Sequence, residues 1–444
     1  MVKLFGTDGI RGKAGEYPVT DRIAERLGAA MVKVLGPRNR IEVLIGRDTR
    51  ESGLDLEAAM IRGLLASGVG VTRLGVVPTP ALAYLVRQLG ADAAVMITAS
   101  HNPFEDNGMK IFDSKGYKLD DRTEEEIEAL LTGPSERIQP CAWGKVRDLT
   151  DGLEMYAQMA KSCVDGLSLR GMKLVLDAGN GAAYEIAPRI FRDLGADVIT
   201  MASRPNGKNI NEDCGATHPE RAGQMVRKHG AHLGISLDGD ADRVVFCDAE
   251  GRLLNGDRLM TLVALGLHAR GLLKNRGMVA TVMSNLGLDE ALGNYGIKVI
   301  RAGVGDRHVS DMMRVNDYHF GGENSGHLIF SDYATTGDGI MSALQVCRLI
   351  REEGKSLSEL AAIMKEYPST LLNLPVREKP PLETLKELPM IMREADLAFG
   401  KKGRQLIRYS GTESKIRVLV EHKDAAMVNE WIEKFKKTIT QELG

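Results

Sequence analysis

The sequence predicts an α/β protein: three layered units followed by a smaller α+β unit. Short apolar, β-rich runs alternate with helical patterns through most of the chain, and this style changes after a cluster of prolines around Pro375. The length of 444 residues, at about 100–200 residues per domain, asks for two to four domains.

In the first unit, Ile41 to Ile45, Val71 to Leu74 and Ala93 to Thr98 read as strands. Thr20 to Leu35 reads as a helix, because Ile23, Leu27, Met31 and Val34 share one face behind Thr20 as its N-cap. The alternation returns at Lys173 to Asp177, Asp197 to Thr200 and Leu233 to Leu237, and again at Met278 to Met283 and Lys298 to Arg301. The polar stretch Thr132 to Gln139 ends the first unit, and the turn region Asp248 to Asn255 ends the second. Pro368, Pro375, Pro380 and Pro381 mark the third break, beyond which Arg404 to Arg408 and Ile416 to Glu421 read as strands and Ala425 to Lys436 as an amphipathic helix. The expected domains are residues 1–150, 151–252, 253–368 and 369–444.

Composition narrows the function. The 58 Lys and Arg nearly balance 60 Asp and Glu, for a net charge of -2, without the basic excess of a duplex-binding protein, so no nucleic-acid partner is expected. A hydrophobic content of 43% supports several buried cores. No run approaches the ~20 apolar residues of a membrane span, and the N-terminus turns glycine- and charge-rich at once, unlike a signal peptide. The five cysteines, Cys141, Cys163, Cys214, Cys247 and Cys347, have no paired spacing. The expectation is a soluble, cytoplasmic, disulfide-free protein with no membrane partner, and a homodimer is left open.

Four motifs carry chemistry. Thr98-Ala99-Ser100-His101-Asn102-Pro103 follows a strongly apolar strand, which places a hydroxyl and an imidazole beyond its carboxyl end, the edge where open α/β sheets bind ligands. Ser100 is a candidate nucleophile; the alternative is a polar turn in which it only caps a helix or bonds to the backbone. Lys110 could offer a cation to a phosphate; the alternative, and the commoner case for an isolated lysine at a strand start, is an ordinary surface residue. Asp238-Gly239-Asp240-Ala241-Asp242-Arg243 sets three carboxylates at alternate positions, with small residues that let all three face one centre. Unpaired, they would repel one another; a hard, oxygen-preferring cation such as Mg²⁺ resolves that cost. An EF-hand needs Glu at the twelfth position, where Ala249 stands, and zinc would want histidine or cysteine ligands that are missing at ligand spacing.

Gly321 to His327 is a flexible turn that carries Glu323, Asn324, Ser325 and His327, suited to a polyhydroxyl ligand. Arg408-Tyr409-Ser410-Gly411-Thr412-Glu413-Ser414, with Arg417 beyond, reads as an anion cradle of hydroxyls, glycine-supported amides and arginine forks. It is no Walker A loop, for the Gly-Lys-Ser/Thr ending is absent. Arg11 lies in a further glycine-flanked run, Phe5 to Gly12. One cleft holding all of these would support phosphoryl transfer between Ser100 and a phosphosugar, with Arg11 and Lys110 adding positive potential and His327 or a neighbour handling a hydroxyl proton.

Together the four motifs closely resemble the α-D-phosphohexomutase family over essentially the whole chain. The resemblance implies four domains around a central cleft, three α/β/α and a smaller C-terminal α+β domain. It implies that Ser100 is the phosphorylated residue and a metal ligand, that Asp238, Asp240 and Asp242 hold Mg²⁺, and that His101, Arg11, Lys110 and His327 serve catalysis. Arg243, Glu323, Asn324 and Ser325 correspond to substrate contacts, and Arg408, Ser410, Gly411, Thr412 and Arg417 to a distal phosphate site. The runs Phe5 to Gly12 and Asp332 to Gly339 look most like the members that interconvert glucosamine 6-phosphate and glucosamine 1-phosphate on the route to UDP-N-acetylglucosamine. Glucosamine 1,6-bisphosphate is then the expected intermediate and activator. Tyr409 and Ser414 stand where the family loop usually has proline, and Asn324 where the glucosamine branch commonly has glutamine. A branch acting on glucose and mannose phosphates, a non-catalytic sugar-phosphate-binding protein and a metallophosphatase are the competing readings.

Overall fold

The computed structural model describes residues 3–6, 8–36, 41–133, 144–410 and 414–444. The chain forms two compact units, one of residues 1–283 and 295–363, the other of residues 284–294 and 364–444. Three sheets belong to the larger unit and one to the smaller.

The first sheet has seven strands, in the order Phe5–Gly6, Gly9–Lys13, Asp106–Asp113, Ala93–Ile97, Glu42–Arg47, Gly70–Val76, Val146–Asp148. Ala93–Ile97 runs parallel to Glu42–Arg47 and antiparallel to Asp106–Asp113. All five of its residues are buried, as an unbroken apolar strand covered on both faces must be. The helix behind Thr20 runs Asp21–Leu35: Thr20 accepts from the Ile23 N–H, while Ile23, Leu27 and Met31 are buried and Val34 half-buried. This helix lies against Gly53–Ala66, where Gly28 and Gly63 replace side chains with backbone contact.

The second sheet is ordered Leu253–Leu254, Val244–Cys247, Leu233–Leu237, Lys173–Asp177, Asp197–Met201; the third is Lys298–Ala302, Gly277–Thr281, Phe320–Gly322, Leu328–Phe330. In both, parallel strands at the centre give way to an antiparallel partner, Val244–Cys247 in one and Leu328–Phe330 in the other. Those reversals matter, because the tight connections before them carry the acidic run and the Glu323 turn.

The smaller unit is an antiparallel sheet, Ser369–Pro375, Lys415–His422, Gly403–Tyr409, backed by the helices Leu388–Phe399 and Ala425–Leu443 around Phe399, Trp431 and Phe435. Ser369–Pro375 lies where the proline cluster suggested only a break. It is an edge strand that ends at its proline, the place a residue without an N–H is tolerated. The helix Leu286–Gly293 also packs here: the Leu286 N–H donates to Glu421 at 2.7 Å, Arg404 Nη2 donates to the Ser284 carbonyl at 2.6 Å, and Asn285 exchanges two hydrogen bonds with Tyr367. Nothing in the sequence pattern sets residues 284–294 apart from their neighbours.

Among the described residues, no helix is long and apolar enough to cross a membrane, and Cys163, Cys214, Cys247 and Cys347 are buried free thiols; Cys141 lies outside the described residues.

A Cβ on Gly63 would lie 1.9 Å from the Glu25 carbonyl oxygen. Gly63→Ala should therefore push the two helices apart and cost about 1–3 kcal/mol, read as a lower midpoint of unfolding in urea at unchanged slope. An unchanged midpoint would mean that the helix pair yields freely.

Candidate active site

Ser100 follows the strand Ala93–Ile97 in the loop that turns back into Asp106–Asp113, and it is fully buried. Its φ of 52° is left-handed, a conformation that costs a residue with a Cβ about 1–3 kcal/mol and persists only where the surroundings enforce it. Its hydroxyl donates to Asp238 Oδ2 at 2.6 Å. The hydroxyl is thus buried and aimed at a carboxylate, and Ser100 caps no helix among the described residues.

Asp238 comes straight after the strand Leu233–Leu237, so the parallel core of the second sheet delivers the acidic run to the Ser100 loop. Ala241, at φ 58°, makes the turn, and Gly239 is obligatory for space: a Cβ there would lie 2.4 Å from the Ser100 carbonyl oxygen. Asp238, Asp240 and Asp242 are all buried, with one oxygen from each within 4.8 Å of the others.

Basic groups close around them. Lys110 Nζ lies 2.7 Å from Asp240 Oδ2, 3.2 Å from Asp242 Oδ2 and 3.2 Å from Asp8 Oδ2. Lys110 sits in the interior of Asp106–Asp113, opposite Met96, rather than at a strand start. Burial opposes its charge, yet Asp240 and Asp242 hold its pKa above the ordinary value. Thr79 donates to Asp240 Oδ2 at 2.6 Å, and the Arg243 N–H donates to Asp238 Oδ1 at 3.1 Å.

Desolvation, then repulsion from Asp242 and Asp240, drives the Asp238 pKa far up. Against the same desolvation, Lys110, His327 and Arg243 pull Asp242 well down, and Lys110 with Thr79 lowers Asp240. Asp240 Oδ1 and Asp242 Oδ1 are buried and accept no hydrogen bond. Two orphaned carboxylate oxygens beside a third carboxylate and a hydroxyl form an all-oxygen donor set, so these residues fit a hard divalent cation.

Arg11 pairs with Asp8, and its pKa is lowered chiefly by burial. His101 Nδ1 lies 3.4 Å from Ser100 Oγ and accepts from Arg243 Nη1 at 3.0 Å. Burial, then Arg243 and Arg11, pushes His101 down to about 4, so its ring is neutral at pH 7. His327 is buried with Nδ1 3.6 Å from Asp242 Oδ1, while Nε2 accepts from the Gly337 N–H at 2.9 Å, which leaves the proton of the neutral ring on Nδ1.

Glu323 is buried at the start of the turn between Phe320–Gly322 and Leu328–Phe330, and it accepts from the Gly305 N–H at 3.0 Å. Asn324 and Ser325, next along, are exposed. Gly326, at φ 89°, has its missing Cβ against Val244, and the Val244 N–H donates to its carbonyl, which docks this turn on the strand that follows the acidic run.

The structure thus brings Ser100, His101, Arg11, Lys110, the three aspartates, Arg243, Glu323 and His327 into one unit. In the other unit, Arg408 and Arg417 face each other across neighbouring strands. Partial burial, then Arg417, lowers the Arg408 pKa. The Ser410 N–H donates to Lys415 at 2.8 Å, and Ser410 accepts at its carbonyl from Lys379 Nζ at 2.7 Å. Gly411 and Thr412 lie outside the described residues.

Sequence reasoning missed Asp8, Thr79, Lys118 and Asp306. Lys118 pairs with Asp8 and lies 2.7 Å from Asp306 Oδ2, which is itself 3.4 Å from His327 Nε2. Asp8 stood inside a glycine-rich run already noted; the others carry no local signal.

Four family models match the chain: the phosphoglucomutase/phosphomannomutase alpha/beta/alpha domains I, II and III over residues 2–137, 154–251 and 255–367, and the C-terminal domain over 349–438. A phosphoglucosamine mutase of Myxococcus xanthus is 47% identical, with 96% of this chain and 94% of the relative covered. One of Citrifermentans bemidjiense is 44% identical over 100% of this chain and 99% of its own. Among solved structures, a phosphoglucomutase/phosphomannomutase family protein of Burkholderia thailandensis shares the fold with a TM-score of 0.83 at 23% identity, covering 99% of this chain and 97% of its own. An Aspergillus fumigatus N-acetylphosphoglucosamine mutase in complex with GlcNAc-6P and magnesium gives 0.67 at 19%, covering 99% and 96%.

Mg²⁺ that binds only the folded chain should stabilise it by about 2.7 kcal/mol at 100 times its Kd, seen as a raised thermal midpoint. Asp240→Asn should lose most of that shift. An equal Mg²⁺ shift in wild type and variant would place the cation elsewhere.

Proposed function

The chain belongs to the phosphoglucomutase/phosphomannomutase family, and we propose that it interconverts glucosamine 6-phosphate and glucosamine 1-phosphate with Ser100 as the phosphoryl carrier. Membership makes it an isomerase. The observation that carries the residue assignment is the buried Ser100 hydroxyl held 2.6 Å from Asp238 within the carboxylate cluster.

In the proposed cycle, the bond between phosphorus and Ser100 Oγ breaks as a substrate hydroxyl forms a new P–O bond. The net step moves the hydroxyl proton to Ser100 Oγ, with the imidazoles of His101 and His327 proposed to relay it. The product is glucosamine 1,6-bisphosphate, which turns over and returns its other phosphoryl group to Ser100. Mg²⁺ held by Asp238, Asp240, Asp242 and the Ser100 side chain would supply positive charge to offset that of the transferring group. Arg11 and Lys110 add donors for the phosphoryl oxygens, and Lys110, fixed as a cation by Asp240 and Asp242, acts by charge rather than as a base.

Arg243, Glu323, Asn324 and Ser325 are proposed to hold the sugar. A buried carboxylate such as Glu323 favours an ammonium over a hydroxyl, which supports the amino-sugar preference. Arg408, Ser410, Gly411, Thr412 and Arg417 are proposed as a phosphate-binding set, supported by the facing arginines. Each sheet is taken as the core of one domain, with boundaries near residues 150, 252 and 368. The buried free thiols support a reducing, cytoplasmic setting, and the product is a precursor suited to UDP-N-acetylglucosamine synthesis.

The test is kcat/KM for the Ser100-phosphorylated protein with Mg²⁺ on glucosamine 1-phosphate, glucose 1-phosphate and mannose 1-phosphate. The amino sugar should lead by about tenfold or more, equivalent to about 1.4 kcal/mol in the transition state. Equal or reversed rates would move the chain to a branch acting on neutral hexoses.

A further inference from the structure

Arg50 is wholly buried, and all five of its side-chain N–H groups are engaged. Nε donates to Asp48 Oδ2 at 2.9 Å, which offsets its charge. The other four donors go to backbone carbonyls of one loop: Nη2 to Ser100 at 3.0 Å and Asn102 at 2.9 Å, Nη1 to Asp106 at 2.9 Å and to Pro103. Asn211, from the connection after Asp197–Met201 in the second sheet's domain, reaches the same loop. Its Nδ2 donates to the Ser100 carbonyl at 2.9 Å and the Asn102 carbonyl at 3.0 Å. On the other side, the Ser100 N–H donates to Thr98 Oγ1 at 2.9 Å, and Thr98 Oγ1 donates to Asp48 Oδ2 at 2.7 Å.

Every polar group of the Ser100 peptide unit is therefore tied down, and the Ser100 backbone sits at φ 52°. A left-handed serine without such ties would relax toward the right-handed or extended regions and swing its hydroxyl off Asp238.

We propose that Arg50 and Asn211 are positioning residues for phosphoryl transfer: from two different domains they clamp the Ser100 and Asn102 carbonyls and so hold the serine left-handed with its hydroxyl on Asp238. The inference rests on the reading of Ser100 as phosphoryl acceptor. It adds that the acceptor's direction is set by two groups that touch neither substrate nor metal. Because one clamp arm comes from each domain, alignment of the acceptor also depends on the packing of those domains at this point.

The test is the rate at which Ser100 takes up phosphoryl from glucose 1,6-bisphosphate in the full chain, followed by intact mass, with melting curves to check folding. Asn211→Ala removes both donors; Asn211→Asp keeps the volume but aims a carboxylate oxygen at two carbonyl oxygens. The clamp predicts a maximal rate about tenfold lower for Asn211→Ala and about 100-fold lower for Asn211→Asp, with half-saturation by the bisphosphate within about threefold of wild type. A residue that merely fills space would give the reverse order, Asp milder than Ala, and that order overturns the proposal. A rise in half-saturation at unchanged rate overturns it too. Should Asn211→Asp fail to fold, Asn211→Ala decides by the same split: a slower maximal rate supports the clamp, an unchanged one removes it. A wild-type chain that takes no phosphoryl at Ser100 would instead overturn the functional reading, and the clamp with it.

Discussion

Three carboxylates buried within 4.8 Å of one another are the constraint around which the larger unit is arranged. Like charges out of water repel strongly, and a fold can keep them only by lending opposite charge from every side. Lys110 comes from the first sheet, Arg243 from the end of the acidic run, and Thr79 from the start of a neighbouring helix. The cluster thereby couples the first two sheets: domain packing brings the partners in, and the partners make the packing tolerable for the aspartates. The oxygens that remain without hydrogen bonds, one each on Asp240 and Asp242, define where further positive charge belongs.

Around this cluster, backbone geometry does as much as side-chain chemistry. Ser100 and Ala241 both take left-handed conformations, and Gly239 lets the acidic loop approach within contact of the Ser100 carbonyl. Strand order delivers these loops, since both follow the carboxyl ends of strands in a parallel pair. Charge is graded as well. Asp238, which receives the Ser100 hydroxyl, is the carboxylate whose pKa rises, while Asp240 and Asp242, which touch Lys110, stay low. A cation shared among the three would favour the charged form of Asp238, the acceptor of the Ser100 hydroxyl.

How much of this the sequence disclosed follows from the range of each interaction. The strands Lys173–Asp177 and Leu233–Leu237 were legible to the residue, because short runs with a largely apolar centre between polar turns leave little choice. The acidic run was legible because its three carboxylates lie within five residues of chain, as was the family to which the motifs belong. Lys110 could be suspected, but its partner Asp240 is 130 residues away, and no local pattern says that it sits in a strand interior. Arg50, Asn211, Lys118 and Asp306 were invisible for the same reason: an arginine that satisfies four carbonyls about 50 residues on looks, in the sequence, like any surface arginine. The helix Leu286–Gly293 joins the smaller unit through Glu421, 135 residues later, which periodicity does not encode.

The claim beneath all of this is that the carboxylate cluster exists to serve one hydroxyl. Its most direct test is the site of covalent phosphate after incubation with a hexose 1,6-bisphosphate and Mg²⁺, located by peptide mass mapping in wild type and in Ser100→Ala. The account predicts one phosphoryl group per chain, on the Ser100 peptide, and none in the variant. Phosphate on another residue, or an equal load in Ser100→Ala, would contradict it.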